Sequence, residues 1–111
     1  MNIIEDTYNI TYENNIIQIS GKLSLMLEDY NKIEDFFMKI LENAQNSITL
    51  DIRNLEFLNS SGIKTICVSL ILEASEIEGL HLKILCSNKY TWQKETIPTF
   101  KDLMDNMEII F

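Results

Sequence analysis

The segment that decides the fold is Thr49-Leu50-Asp51-Ile52-Arg53-Asn54-Leu55-Glu56-Phe57-Leu58-Asn59-Ser60-Ser61-Gly62-Ile63. Apolar and polar residues alternate over residues 47–53, which is the period of a half-buried strand. Residues 54–59 are predicted as a loop, and apolar residues at helical spacing predict a helix over residues 61–77. The segment is therefore predicted to be a strand, a loop and a helix start, and to present the pair Ser60-Ser61 at that start.

On both sides of this segment the chain continues to change between strand and helix periods. The predicted order is β-β-α-β-α-β-α-β, about five strands and three helices. The predicted elements are strands over residues 7–12 and 15–21, a helix from Tyr30 to residue 44, the strand over 47–53, the helix over 61–77, a strand over 80–86, a loop over 87–95, a helix from Thr96 and a strand over 108–111. Asparagine tolerates the left-handed conformation of tight hairpins, so Glu13-Asn14-Asn15 predicts an antiparallel first pair.

Strands that alternate with helices require crossover connections, which make the later strands parallel and pack the helices on the sheet. We therefore predict an α/β fold with a mixed, mostly parallel sheet, in one domain over residues 1–111. In open sheets of this kind, functional loops gather at the carboxyl ends of the strands. The predicted loop between Arg53 and Ser61 lies at that edge.

Composition excludes several classes of function. The chain has 9 basic and 17 acidic residues and a net charge of -8, which disfavours nucleic acid as a partner. This acidity suits solubility, or a bias toward basic protein partners. The longest apolar run, Ile66 to Leu72, is far shorter than the ~20 residues of a membrane-spanning helix, and the first residues lack the features of a signal peptide. We expect a cytoplasmic protein with no membrane partner, no metal and no cofactor.

Candidate catalytic residues are few. His81 is the only histidine and has no recognisable nucleophile pattern around it, so the sequence predicts no enzyme. Asp51 at a strand end invites comparison with the phosphoacceptor of response-regulator receivers, but the acidic pair that receivers need after the first strand is absent. Cys67 and Cys86 have no metal-ligand spacing and are predicted to be small buried hydrophobes. Trp92 is either a core residue or an anchor for a partner.

Two interpretations of the serine pair follow from physical chemistry. One serine can be the helix N-cap, whose hydroxyl accepts a backbone N–H of the first turn. Alternatively, a serine at a helix start can carry a phosphate, because free N–H groups and the helix dipole favour negative charge there. A phosphoserine would add about -1.5 to -2 charges to the surface and leave the core intact.

The run from Thr49 to Ile63 resembles the signature of STAS domains, the family of bacterial anti-sigma-factor antagonists, and the predicted element order agrees with that family. The resemblance implies a non-enzymatic regulatory protein of a partner-switching pathway, which docks a serine kinase, a phosphatase or an anti-sigma-type partner. It also implies that a kinase phosphorylates the second serine of the motif, here Ser61, with Ser60 as second choice. The implied partner-binding residues are Asn59, Ser60, Ser61, Gly62, Ile63 and Lys64.

The chain departs from the antagonists at two places. Asn59 stands where their motif has an acidic residue, and Trp92-Gln93-Lys94 precedes the last predicted helix. Both features resemble a smaller branch of STAS-like bacterial regulators associated with kinase and phosphatase switches. Asn59 also favours the alternative of a constitutive scaffold or a ligand-sensing module of the same fold, which phosphorylation does not control.

Overall fold

The computed structural model describes residues 1–111 and contains one mixed sheet of six strands in the order β1-β2-β3-β4-β5-β6. β1 to β3 pair antiparallel, and β3 to β6 pair parallel. The predicted α/β class is confirmed. The elements are β1 (Asn2–Ile4), β2 (Tyr8–Glu13), β3 (Ile16–Leu23), a 3-10 turn (Leu27–Tyr30), helix α1 (Asn31–Glu42), β4 (Ser47–Leu58), helix α2 (residues 60–75), β5 (His81–Leu85), helix α3 (Thr91–Thr96) with a 3-10 extension (Ile97–Leu103), and β6 (Met107–Ile110).

The strand count and the element order differ from the prediction. The prediction of about five strands missed β1, so the order is β-β-β-α-β-α-β-α-β rather than β-β-α-β-α-β-α-β. β1 has three residues, of which only Ile3 is buried. Three positions are too few to show the alternation by which a strand is recognised from sequence. It pairs with the next strand, β2, with Ile3 opposite Ile10, and the residues 5–7 between them carry no glycine or asparagine that would mark a turn.

The predicted hairpin is confirmed. β2 and β3 pair antiparallel with Glu13 opposite Ile16. Asn14 and Asn15 both have positive φ, at 53° and 65°, which is the left-handed conformation that a two-residue turn demands and that asparagine tolerates.

The core lies between one face of the sheet and the helices. Ile17 and Ile19 of β3, Leu50 of β4 and Ile84 of β5 are no more than 1% exposed. Helix α1 contributes the apolar stripe that its spacing predicts, which comprises Ile33, Phe36, Phe37, Ile40 and Leu41. No helix is both long enough and apolar enough to span a membrane.

β4 extends through the segment that the sequence predicted as a loop. Residues 54–59 were predicted to be irregular, but β4 continues to Leu58. Its register with β3 shifts twice, between the partners of Gln18 and Ser20 and between those of Gly21 and Lys22. At each shift β4 carries an extra residue, so two exposed residues separate the buried Ile52, Leu55 and Leu58. The bulges change the burial period from two to three, and a search for alternation therefore stops at the first bulge.

Helix α2 begins one residue earlier than predicted and ends two residues earlier. Its middle part, Ile66–Leu72, is π-helical and lies between α-helical parts at Ser60–Thr65 and Glu73–Ser75. Gly79 follows the helix with a positive φ of 79°. Such a backbone conformation is strained for residues with a Cβ.

The last helix also begins before its predicted start. Residues 87–95 were predicted as a loop and Thr96 as the first residue of the helix, but α3 starts at Thr91. Tyr90 precedes it and supplies no side-chain cap, so the usual start signal is missing. Proline is common in the first turn of a helix, so Pro98 favours a start at Thr96, but it lies where α3 continues as a 3-10 helix.

Candidate functional site

The serine turn, defined as residues 59–64, lies at the carboxyl ends of two parallel strands. Leu23 of β3 is paired with Leu58 of β4, and the Asn59 N–H donates to the Leu23 carbonyl at 3.2 Å. The helix then starts at once, because the Asn59 carbonyl accepts from the Ile63 N–H at 2.9 Å. The chain therefore passes from sheet to helix through one residue, Asn59, at the edge where α/β proteins usually carry function.

Asn59 is the N-cap of α2, and the interpretation that a serine caps the helix is wrong. The Asn59 Oδ1 accepts from the Gly62 N–H at 2.9 Å. Ser60 and Ser61 occupy the first two helical positions. Apart from the backbone hydrogen bonds of the helix, the one hydrogen bond made by either serine is accepted by the Ser61 carbonyl from Thr65 Oγ1, at 2.9 Å. Both serine hydroxyls are therefore free for chemistry, since the helix does not need them for its cap.

The side chain of Asn59 also ties the turn to the segment before α1. Its Oδ1 accepts a second hydrogen bond, from the Tyr30 hydroxyl at 2.5 Å, and its Nδ2 donates to the Leu25 carbonyl at 2.8 Å. Tyr30 Oη in turn accepts from the Leu25 N–H at 3.3 Å. Burial raises the pKa of Tyr30, so the phenol keeps its proton and remains a donor at neutral pH. Asn59 uses both its acceptor and its donor, which an aspartate could not do.

Gly62 is a place of close packing rather than of unusual backbone conformation. A Cβ on this residue would lie 2.4 Å from Leu58 Cδ1 and 2.6 Å from Tyr30 Oη. The glycine therefore lets the first turn of α2 lie directly on β4 and on Tyr30. Because Gly62 is buried, it shapes the turn and offers no side chain to a partner.

The other predicted site residues form one accessible surface. Ser60 and Lys64 are exposed, and Ser61 and Ile63 are half-buried. The structure thus brings all six residues predicted for partner binding into one turn, with five of them accessible in whole or part. Ser61 is less exposed than Ser60, so a kinase has less access to Ser61 than to Ser60.

Gln93 is a structurally important residue that sequence analysis missed. β5 pairs with β4 only as far as Asp51, so the carbonyls of Ile52 and Leu55 have no strand partner on that side. Gln93 is fully buried and its Nε2 donates to both carbonyls, at 2.8 and 3.0 Å. Its Oε1 accepts from the Ser87 N–H at 2.9 Å. A glutamine in a polar segment gives no sequence signal for this role, because its partners lie about 40 residues away.

Trp92 lies beside Gln93 and packs against the core. It is partly buried, and its Nε1 donates to the Leu55 carbonyl at 3.3 Å. Of the two roles considered for Trp92, the structure supports the one in the core. Trp92 and Gln93 together hold the bulged half of β4, which leads into the serine turn.

The acidic pair predicted to be absent after the first strand is present, because β1 ends at Ile4 and Glu5-Asp6 follow it. β1 is an edge strand, however, and β2 and β3 separate it from β4, which carries Asp51, and no group of three or more acidic, cysteine or histidine side chains is placed to hold a metal ion.

Asp51, the residue compared with a receiver phosphoacceptor, is held by a neighbour. Its carboxylate accepts from Arg53 Nε at 3.0 Å and Nη2 at 2.8 Å, and this contact lowers the pKa of Asp51. Burial, with Asp51 nearby, raises the pKa of the Cys86 thiol to about 12. Cys86 is buried and Cys67 half-buried, and neither forms a disulfide. Cys86 is thus buried as predicted, with a thiol that stays protonated at neutral pH.

Comparisons with protein-family models and with curated proteins found no match to this chain. The structure itself therefore defines a broad class, an α/β domain with the serine turn at the carboxyl edge of its sheet.

Asn59→Asp is expected to lower the free energy of unfolding by about 1 kcal/mol. An aspartate keeps both acceptor contacts and gains about 0.3–1 kcal/mol from the helix dipole, but it puts a carboxylate oxygen against the Leu25 carbonyl, which costs about 1–3 kcal/mol. Urea unfolding at pH 7 measures the difference. Asn59→Ala is the control and should lose about 2 kcal/mol, since all three contacts disappear. An aspartate variant as stable as the wild type would show that the donor to Leu25 is unimportant.

Proposed function

We propose that the protein is a non-enzymatic regulatory binding protein of a bacterial, cytoplasmic partner-switching pathway, related to STAS domains. It docks a serine kinase, a phosphatase or an anti-sigma-type partner through the serine turn and the adjoining face of α2. Phosphorylation of Ser61, or of Ser60 as second choice, releases that partner, and a phosphatase restores binding.

The observation that carries this proposal is the pair of free serine hydroxyls at the start of a helix that is already capped. Because Asn59 supplies the cap to Gly62, a phosphate on Ser61 removes no hydrogen bond from the fold. The first turn of a helix also favours negative charge. Modification is therefore compatible with an intact core, which a reversible switch needs.

A phosphate would nevertheless change the surface strongly. It adds about -1.5 to -2 charges at a turn whose only basic side chain is Lys64, on a protein whose net charge is already -8. Beside the turn lie apolar side chains that a partner can cover, since Leu27 is 52% exposed and Val68 is 47% exposed. A partner that covers these apolar side chains would have to bury the phosphate as well or dissociate.

The alternative remains a constitutive scaffold or ligand-sensing module. The main argument for this alternative was that Asn59 replaces the acidic residue of the STAS motif. The contacts of Asn59 with Tyr30 and Leu25 give that residue a structural reason of its own, so it no longer favours one proposal over the other. The two are separated by whether Ser61→Ala changes behaviour in cells.

Phosphorylation is the first test. The protein is incubated with ATP and a serine kinase from the same organism, and mass spectrometry maps the phosphate. We expect a single phosphate on Ser61, lost in Ser61→Ala and retained in Ser47→Ala, a serine exposed at the opposite end of β4. Label on a serine outside the turn, or no label, would contradict the proposal.

Binding is the second test. Ser61→Asp is expected to weaken the complex with that kinase by at least about tenfold, equivalent to about 1.4 kcal/mol, because negative charge enters the interface. Isothermal titration calorimetry measures the affinity, and Ser47→Asp is the matched control with the same change in net charge. Equal affinities of the two variants would favour the constitutive scaffold.

A further inference from the structure

A groove runs between α1 and α2 and opens beside the serine turn. It consists of two connected parts of about 430 and 530 Å³, which share Glu34, Val68 and Ser69. The part nearer the turn reaches Leu27 and Lys64, and the farther part reaches Met38 and Ile77. We call this surface the helix groove.

The lining of the helix groove includes exposed apolar side chains. Met38 of α1 is 59% exposed and Val68 of α2 is 47% exposed. Scattered apolar residues on a surface need no explanation, but these two line the same depression, one from each helix. The groove is also centred on the π-helical part of α2, to which Val68 and Ser69 belong. π-helical turns are rare and occur frequently at functional sites.

The charged part of the lining of the helix groove is strongly acidic. Lys64 is its only basic residue, whereas five glutamates line it, namely Glu28, Glu34, Glu42, Glu73 and Glu76. A groove lined by exposed apolar side chains and several glutamates is complementary to a helix that has an apolar stripe flanked by lysines and arginines. A second copy of this chain would bring the same glutamates and meet repulsion instead.

The dimensions fit such an occupant. From Lys64 of α2 to Glu76, which directly follows the helix, the lining residues span 12 steps along the chain, roughly 18 Å at the rise of an α-helix. Three to four turns of a partner helix match this length, with apolar anchors at positions i, i+3 or i+4, and i+7.

We propose that the helix groove binds a basic amphipathic helix of the partner protein. This inference rests on the proposed function, because it gives the chemistry of the partner segment that docks beside Ser61. Its test requires no phosphorylation, however, so the two can fail separately. If a kinase binds the protein but the groove does not bind a basic helix, this inference alone is wrong. If the groove binds a basic helix but Ser61 is never phosphorylated, only the proposed phosphorylation switch is wrong.

The probe is a synthetic 14-residue peptide of leucine and lysine with leucine at helical spacing. The full chain is labelled with ¹³C on its methionine methyl groups, of which it has five. We expect the peptide to shift the Met38 signal and to leave the signals of Met104 and Met107, each 5% exposed, unchanged. A peptide of the same composition with the helical spacing scrambled should produce no Met38 shift.

Charge variants give the second readout. Glu34→Gln, Glu73→Gln and Glu76→Gln combined are expected to weaken peptide binding roughly tenfold, as surface ion pairs of ordinary strength would require. The matched control combines Glu13→Gln, Glu95→Gln and Glu108→Gln, which are exposed and lie outside the groove. Equal weakening by both triples would mean that only net charge matters and would overturn the proposal.

Two other results would also overturn it. Equal binding of the scrambled peptide would show that helical spacing is not recognised. A Met38 signal that shifts with protein concentration in the absence of peptide would assign the groove to contact between copies of this chain.

Discussion

Gln93→Leu is expected to lower the free energy of unfolding by about 2–5 kcal/mol, although the substitution makes the core more apolar. The buried glutamine satisfies the Ile52 carbonyl and the Ser87 N–H, and leucine can satisfy neither. Each buried polar group left without a partner costs about 1–3 kcal/mol. The Leu55 carbonyl suffers less, because Trp92 Nε1 also donates to it.

Urea unfolding followed by circular dichroism measures this loss. Gln45→Leu is the matched control, since Gln45 is exposed between α1 and β4 and substitutions at such positions usually change stability by no more than about 0.5 kcal/mol. The rate of amide hydrogen exchange should also rise in the second half of β4, because the carbonyls there lose the hydrogen bonds from Gln93. If the Gln93 and Gln45 variants were equally stable, the role assigned to Gln93 would be wrong.

Gly62→Ala is expected to lower the free energy of unfolding by about 1–3 kcal/mol, the usual cost of overpacking. Helix propensity alone would predict the opposite, because alanine is about 1 kcal/mol more favourable than glycine inside a helix. Packing decides here, since the new Cβ would lie 2.4 Å from Leu58 Cδ1. Leu58 is only 3% exposed, and the second close atom, Tyr30 Oη at 2.6 Å, is held in place by its hydrogen bond to Asn59.

A double-mutant cycle isolates the clash. Leu58→Ala alone should cost about 2–5 kcal/mol through the cavity it leaves. The combination with Gly62→Ala should cost less than the sum of the two, because the alanine at 62 gains the space that Leu58 vacates. Ser60→Ala, on the exposed side of the same turn, is the control and should change stability little. Strict additivity would show that the contact between Gly62 and Leu58 is not the cause.

Elements with complete periodicity were predicted from sequence, and elements with interrupted periodicity were not. Helix α1 presents every core residue at helical spacing, and the hairpin has asparagines where positive φ is needed. β4 was predicted only up to its first bulge, because each extra residue resets the alternation. β1 was missed because it is short, and the start of α3 was missed because Tyr90 gives no capping signal.

For the candidate site, the position of the serines could be predicted but not the contacts that hold them. The change from strand to helix period placed Ser60 and Ser61 at a helix start. Asn59, however, appeared only as a departure from a motif. Its partners Tyr30 and Leu25 lie 29 and 34 residues away, and local sequence patterns carry no information about such pairings. Asparagine and serine have similar intrinsic preferences for the N-cap, so preference alone could not choose between Asn59 and a serine, whereas the contacts with Tyr30 and Leu25 hold Asn59 at that position.

The sheet has one further property with a kinetic consequence. Each strand pairs with the strand that precedes or follows it in the chain, from β1 to β6. A growing sheet can therefore add its strands one after another, and each closing loop contains at most one hairpin turn or one helix. The entropic cost of closing a loop rises with loop length. Here no strand depends on a distant part of the chain for its pairing partner. The assembly route is short for a largely parallel sheet, a class that otherwise tends to fold slowly.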